Sequence, residues 1–186
     1  MRNSRIKVLI TAVFLSCVFG IQAQEQTTPL EQVMEGLSVR NIGPAGMSGR
    51  VTCIAAHPHI ATTLYAGSAS GGLWVSANNG QNWSPLFQNE KVASIGAVAI
   101  DPKHPDIIYV GTGEGNPRNS QTSGYGLYKS YDGGQSWECI GLEQTRTIHR
   151  ILINPENTDE IYVGATGSAW GDSPRGVFKT TDGGKN

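Results

Sequence analysis

The chain is poor in the features that would assign it to several large functional classes. Its 186 residues contain three cysteines, 16% charged residues and 8% aromatics. No basic cluster or stripe occurs, so the electrostatic footprint of a nucleic-acid partner is missing. The longest apolar run, Val8 to Gly20, falls well short of the ~20 residues a membrane-spanning helix needs, so no transmembrane segment is expected in the mature chain. His57, His59, His104 and His149 are scattered through different turns without metal-ligand spacing, which argues against zinc or any other metal. Gly111-Thr112-Gly113-Glu114-Gly115 is glycine-rich, but no helix follows to supply a dipole for a phosphate. There is no G-x-S-x-G elbow and no catalytic cysteine context, and no cofactor is implied.

Arg2, Arg5 and Lys7 precede the apolar run, and Ile21-Gln22-Ala23 closes it, the pattern of a secretory signal peptide over 1–23. Leu15-Ser16-Cys17 loosely resembles a lipoprotein box, so anchoring through Cys17 is the secondary reading. Removing Arg2, Arg5 and Lys7 leaves 11 basic against 15 acidic residues, a net charge of about −4. The expected protein is therefore exported: secreted, periplasmic or on the cell surface. Residues 24–38 read as a polar leader. Cys53 and Cys139 are expected at opposite radial ends of their sheets and hence unbridged.

What the chain has in quantity is glycine, 24 residues, and it recurs in register. Ser76, Asn78, Gly80 and Trp83 are spaced like Ser130, Asp132, Gly134 and Trp137, and like Thr180, Asp182 and Gly184. In each copy an apolar strand enters, a glycine-rich turn reverses it, and a Trp, where present, opens the return strand. The Asp or Asn accepts bonds from its own turn, the Gly supplies positive φ, and the Trp is expected to fold over the turn as a lid. Upstream of each copy, Pro58, Pro102 and Pro155 stand seven residues before Tyr65, Tyr109 and Tyr162, with Gly67, Gly111 and Gly164 two residues further on. Apolar strands at 51–56, 95–100 and 148–153 precede the prolines. A period of roughly 40 to 55 residues with four strands per unit predicts an all-β fold of β-propeller blades, four-stranded and antiparallel. The blades are expected at approximately 39–93, 94–145 and 146–186, the last truncated, as the incomplete N-terminal part of a larger propeller with further blades C-terminal to Asn186.

The motif S/T-x-D-x-G-x-x-W resembles the Asp-box, or BNR repeat, of sialidases, sortilin-type receptors and some glycoside hydrolases. Arg40-Asn41-Ile42-Gly43-Pro44, Ser68-Ala69-Ser70-Gly71-Gly72-Leu73-Trp74 and Gly111-Thr112-Gly113-Glu114 are similar to segments of exported bacterial propellers labelled sortilin-N-terminal-like or BNR-repeat glycosyl hydrolase proteins. That resemblance implies a protein- or glycan-binding scaffold, with a glycoside hydrolase as the alternative. The carry-over from sialidases stops at the Asp-box, since no Tyr nucleophile can be assigned. Asp-box enzymes that cleave xyloglucan use carboxylates on separate blades, and the resemblance does not assign Glu114 or Asp172 to them.

Blade geometry places the loops between second and third strands, and the connections between blades, on one end. These carry the variable polar insertions where function usually resides. The ligand-binding candidates there are Arg40, Arg50, Asn116, Arg118, Asn119, Arg146, His149, Trp170 and Arg175. Arginine offers a bidentate fork to a carboxylate, and Trp170 a stacking face for a sugar. Glu114 and Asp172 are the carboxylates to consider for glycosidic chemistry, if their separation suits it. The expected partner is a polypeptide or a glycan, and not a nucleic acid.

Overall fold

The computed structural model describes residues 49–116, 121–168 and 171–186. The signal-peptide and leader expectations lie outside them. Among the described residues eleven strands form three consecutive antiparallel sheets. The first comprises β1 (Val51–Ala56), β2 (Leu64–Ser68), β3 (Leu73–Ser76) and β4 (Ser84–Pro85). The second comprises β5 (Ile95–Ile100), β6 (Ile108–Thr112), β7 (Leu127–Ser130) and β8 (Glu138–Gly141). The third comprises β9 (Ile148–Ile153), β10 (Ile161–Ala165) and β11 (Gly176–Thr180). Strand order follows chain order in each sheet, the meander of a β-propeller blade. Among the described residues the one helical piece is a 3₁₀ turn, Glu143–Thr145.

The sheets stack face to face. Ile95, Ile108, Val110 and Tyr128 of the middle blade meet Tyr65, Leu73 and Phe87 of the first. On its other face Ala97, Tyr109 and Leu127 meet Ile148, Ile151, Ile161 and Val163 of the third. Alternation along each strand sends odd and even residues to opposite neighbours, which is why β6 is buried at every position. Both described cysteines are free, Cys53 on β1 and Cys139 on β8.

The residue before each proline closes the turn that follows. Asp101 Oδ1 accepts from the Lys103 and His104 amides at 2.8 and 3.0 Å, and Asn154 Oδ1 from Glu156 at 3.0 Å. His57 Nδ1 does the same for His59 and Ile60 at 3.1 Å each. These turns are tied to the glycine-rich hairpins at the same end of the blade. The amides of Asn79, Gly133 and Gly183 donate to the carbonyls of Thr62, Asp106 and Asp159, each at 2.9 Å.

Inside the hairpins, Ser130 Oγ accepts from the Asp132 and Gly134 amides and donates to Asp132 Oδ1 at 2.8 Å. Asp132 Oδ1 accepts from the Gln135 and Ser136 amides at 2.9 Å each, and Oδ2 accepts from Ser136 Oγ at 2.6 Å. Thr180 and Asp182 repeat this arrangement, and Ser76 and Asn78 follow it with an amide in place of the carboxylate. Trp83 donates to Gly80 in its own turn, whereas Trp137 donates across the blade seam to Leu86 O at 3.0 Å. Both indoles nevertheless lie over their own turns, as the lid expectation has it: a Cβ on Gly80 would stand 3.5 Å from Trp83 Cζ2 and one on Gly134 3.3 Å from Trp137 Cζ2, with Leu86 of the preceding blade added beside the second.

The hydrogen bonds from Ser136 and Ser130 hold the Asp132 carboxyl down at about 2, below its ordinary value of about 3.9. A folded-state value below the unfolded one means the native state favours the ionised form. The stabilisation is present above about pH 4 and is lost as the pH falls from there toward about 2. The expected result is that the urea midpoints of wild type and Asp132→Asn, well separated at neutral pH, converge across that interval. The same titration checks that Asn78, being uncharged, contributes no such slope.

Candidate functional site

The opposite end of the blades gathers the β2–β3, β6–β7 and β10–β11 loops with the inter-blade connections. Backbone bonds knit them together: Ala69 N–H to Arg50 O, Gly113 N–H to Ser94 O, Gly124 N–H to Arg146 O and Thr166 N–H to Thr147 O. A bulge recurs in the first strand of every blade, leaving Thr52, Gly96 and His149 outside the ladder register. Bulges re-aim side chains, and they favour strand ends next to active sites.

Two residues that sequence reasoning placed in separate roles form a single unit here. Arg50 Nε and Nη2 donate to Glu114 Oε1 and Oε2 at 2.7 and 2.6 Å, a bidentate fork between the first and second blades. The Glu114 side chain is fully buried and that of Arg50 is 36% exposed. The Glu114 backbone is fixed as well, donating to Thr122 O at 3.0 Å and accepting from Gln121 Nε2 at 2.8 Å. The pairing raises the Arg50 guanidinium further above its ordinary range. Beside it, His149 packs under Gly115, where an added Cβ would lie 2.3 Å from Nδ1. That Nδ1 has no hydrogen-bond partner among the described residues.

The second feature is an open cleft of about 550 Å³ lined by Tyr125, Glu143, Gln144, Arg146, Asp172 and Pro174. Its floor is conformationally unusual. Leu142 and Arg146, at the two ends of the 3₁₀ turn, have φ of 61° and 65°. Left-handed backbone at non-glycine residues costs energy and persists where the surroundings enforce it. Here the Thr145 hydroxyl and amide both donate to Leu142 O, at 2.8 and 3.1 Å, and Gly124 N–H donates to Arg146 O at 2.6 Å.

Of the sequence candidates, Arg146 and Asp172 meet in this cleft, and Arg50 and Glu114 meet in the ion pair. Arg175 instead lies against Gly167 and reaches Ser168 O at 3.5 Å. Asn116 is exposed, and its carbonyl accepts from Gln121 Nε2 at 3.3 Å. Arg40, Arg118, Asn119 and Trp170 lie outside the described residues. Sequence reasoning missed Tyr125, Glu143 and Gln144. The available signal was position alone, because residues 142–147 form the connection that blade geometry puts at this end. Among the described residues no three His, Cys, Asp or Glu side chains converge as a metal site, and no helix is long and apolar enough to cross a membrane.

No protein-family model matches the chain. It is similar over 129 residues to an oligoxyloglucan-reducing end-specific xyloglucanase of Emericella nidulans, at 29% identity, covering 62% of this chain and 15% of that enzyme. Over 163 residues it is similar to a xyloglucanase of Hypocrea jecorina, at 27% identity, covering 79% of this chain and 18% of that enzyme. Among solved structures it superposes on an ancestral GH74 enzyme with a TM-score of 0.62 and 26% identity, covering 75% of this chain and 18% of that one. A GH74 enzyme of Niastella koreensis gives 0.52 and 25%, with coverages of 68% and 19%. The chain thus spans less than a fifth of the length of these relatives. The likenesses overturn the leading sequence expectation, a sortilin-type binding scaffold: xyloglucanases and GH74 enzymes favour the hydrolase alternative. The Asp-box pattern alone misled because a hairpin clasp stabilises a blade whatever the blade serves.

Proposed function

We propose that this chain forms blades of an exported glycoside hydrolase with Asp-box hairpins, acting on a xyloglucan-type polysaccharide, and that 1–23 and 24–38 are its signal and leader. The observation that carries the reading is the similarity to two xyloglucanases over 129 and 163 residues. The cleft supports it chemically. Asp172 and Glu143 are carboxylates lining one open groove, Tyr125 offers it a ring 43% exposed, and Arg146 a cation.

Glycosidic cleavage needs one carboxylic acid to protonate the departing oxygen. A second carboxylate, about 5 to 9.5 Å away, activates water or attacks the anomeric carbon. Asp172 and Glu143 are assigned to this pair, and an aromatic face such as Tyr125 holds the sugar ring by its apolar side. Glu114 is assigned a positioning role: its fork with Arg50 ties the exit of β6 to the entry of β1.

The test is release of reducing ends from xyloglucan by the full-length protein. Asp172→Asn and Glu143→Gln are each expected to lower kcat by roughly 10²- to 10⁴-fold while leaving polysaccharide binding in place. Absence of turnover on xyloglucan, or turnover unchanged in both variants, would overturn the assignment.

A further inference from the structure

A hydroxyl at the end of the second strand of a blade recurs in two blades and is replaced in the third. β2 ends at Ser68, β6 at Thr112 and β10 at Ala165. Each stands opposite a glycine with positive φ, Gly72, Gly126 and Gly176. In the first blade Ser68 Oγ donates to Gly72 O at 3.3 Å and accepts the Gly71 amide at 2.6 Å. In the second, Thr112 Oγ1 donates to Gly126 O at 2.6 Å and accepts the Tyr125 amide at 2.7 Å. Ala165 has no hydroxyl to offer the corresponding residue, Arg175. Gly71, Tyr125 and Arg175 thus share one position, and the second blade alone combines the hydroxyl clasp with a side chain to present.

The clasp is tight on every side. Thr112 is fully buried. A Cβ at Gly124 would lie 2.2 Å from the Thr112 carbonyl carbon, and one at Gly126 would lie 2.4 Å from Gly141 O and 3.1 Å from Glu143 N. The two glycines therefore wedge the Tyr125 backbone between the end of β6 and the turn that carries Glu143 and Arg146. Gly124 N–H closes the wedge by donating to Arg146 O. The Tyr125 side chain leaves it and lines the cleft, with Lys91 Nζ 5.7 Å from the ring centroid. Arg175, which has no clasp, lies against Gly167.

From this arrangement we infer that Thr112 is a positioning residue for the sugar platform of the cleft, its hydroxyl holding Tyr125 in place without touching substrate. The inference rests on the hydrolase reading of the cleft. A platform already fixed when the sugar arrives has no ordering cost to subtract from affinity, and a bond to the backbone of the ring's own residue fixes it. Shape alone does not replace the hydroxyl. Valine has the outline of threonine but cannot accept the Tyr125 N–H, and a buried amide without an acceptor disfavours the clasped conformation. The effect falls on binding, because the chemical step is assigned to Asp172 and Glu143.

A double-mutant cycle on the full-length protein with xyloglucan, reading KM and kcat separately, tests this. Thr112→Val is expected to raise KM roughly tenfold with kcat within about twofold of wild type. Thr112→Ser keeps the hydroxyl and is expected to restore the wild-type KM. Added to Tyr125→Ala, Thr112→Val is expected to raise KM no further, since its effect passes through that ring. Additive effects, a loss confined to kcat, or an unchanged KM in Thr112→Val would overturn the inference and leave the hydrolase reading standing. A wild type without turnover would overturn both. Hydrogen exchange covers a Thr112→Val that does not fold. The Tyr125 amide of the wild type is expected to be protected, and exchange as fast as that of a solvated loop amide would overturn the inference without any variant.

Discussion

Gly96→Ala is expected to destabilise the fold by roughly 3 kcal/mol or more, a large share of the about 5 to 15 kcal/mol that holds a typical domain together. Gly96 is the bulge residue of β5, and a Cβ there would lie 2.2 Å from both Gly113 O and Ile148 O. Neither obstacle is a side chain that can rotate away. Gly113 O belongs to the strand exit that leads to Glu114, and Ile148 opens β9, so relief would require the inner strands of two blades to part. The corresponding residue of the first blade makes a sharp contrast. Thr52 fills its space with a hydroxyl that donates toward Ile95 O at 2.6 Å and Gly67 O at 3.0 Å. Thr52→Gly should therefore lose only about 1 kcal/mol. Urea denaturation of both variants reads the comparison, and a Gly96→Ala midpoint within error of wild type would mean that the inner strands are not in contact as described.

That contrast shows what the sequence can and cannot convey. The strands β1, β5 and β9 are legible with the bounds they adopt, because β-branched and apolar residues run up to a proline turn and the pattern repeats. The bulge within them is not. Thr52, Gly96 and His149 share a position and no chemistry, so nothing in their identities announces a common backbone feature. Polar bonding inside a hairpin is legible for the same reason that it is local: Ser130, Asp132 and Gly134 lie within five residues of each other.

The candidate site divides along the same line. Arg50 and Glu114 are each recognisable as polar residues at the loop-rich end, yet they stand 64 positions apart. Their meeting depends on how far one blade is staggered against the next, which no local pattern encodes. Glu143 is invisible for a different reason. It stands two residues past β8, and the positive-φ backbone at Gly141 and Leu142 directs the chain toward the cleft instead of along the strand. The reaction class proposed for a groove with two carboxylates and an exposed ring rests on the likeness to xyloglucanases and not on geometry.

Phe87→Ala is expected to cost about 3 to 5 kcal/mol, and the manner of unfolding should change with it. Phe87 follows β4 and is almost fully buried. Its ring stands edge to face with Tyr128 and with Trp137, at 5.1 Å from each. Such pairs add about 0.5 to 1.5 kcal/mol beyond the area they bury. All of that gain lies at the seam between the first and second blades, where Trp137 also donates to Leu86 O. The second seam is built from other residues, Ile148, Tyr109 and Lys129, and is untouched. In a stack where each unit contacts only its neighbours, weakening one interface lets the units on either side unfold separately. The wild type should unfold in a single transition, whereas Phe87→Ala should show an early phase in which the first blade detaches and Trp137 becomes solvated. Phe87→Leu keeps much of the apolar area without the ring pairs, and should fall between the two. A variant that loses stability while keeping one sharp transition would show that the seams are energetically coupled, and that the repeat behaves as one cooperative body instead of as neighbours in series.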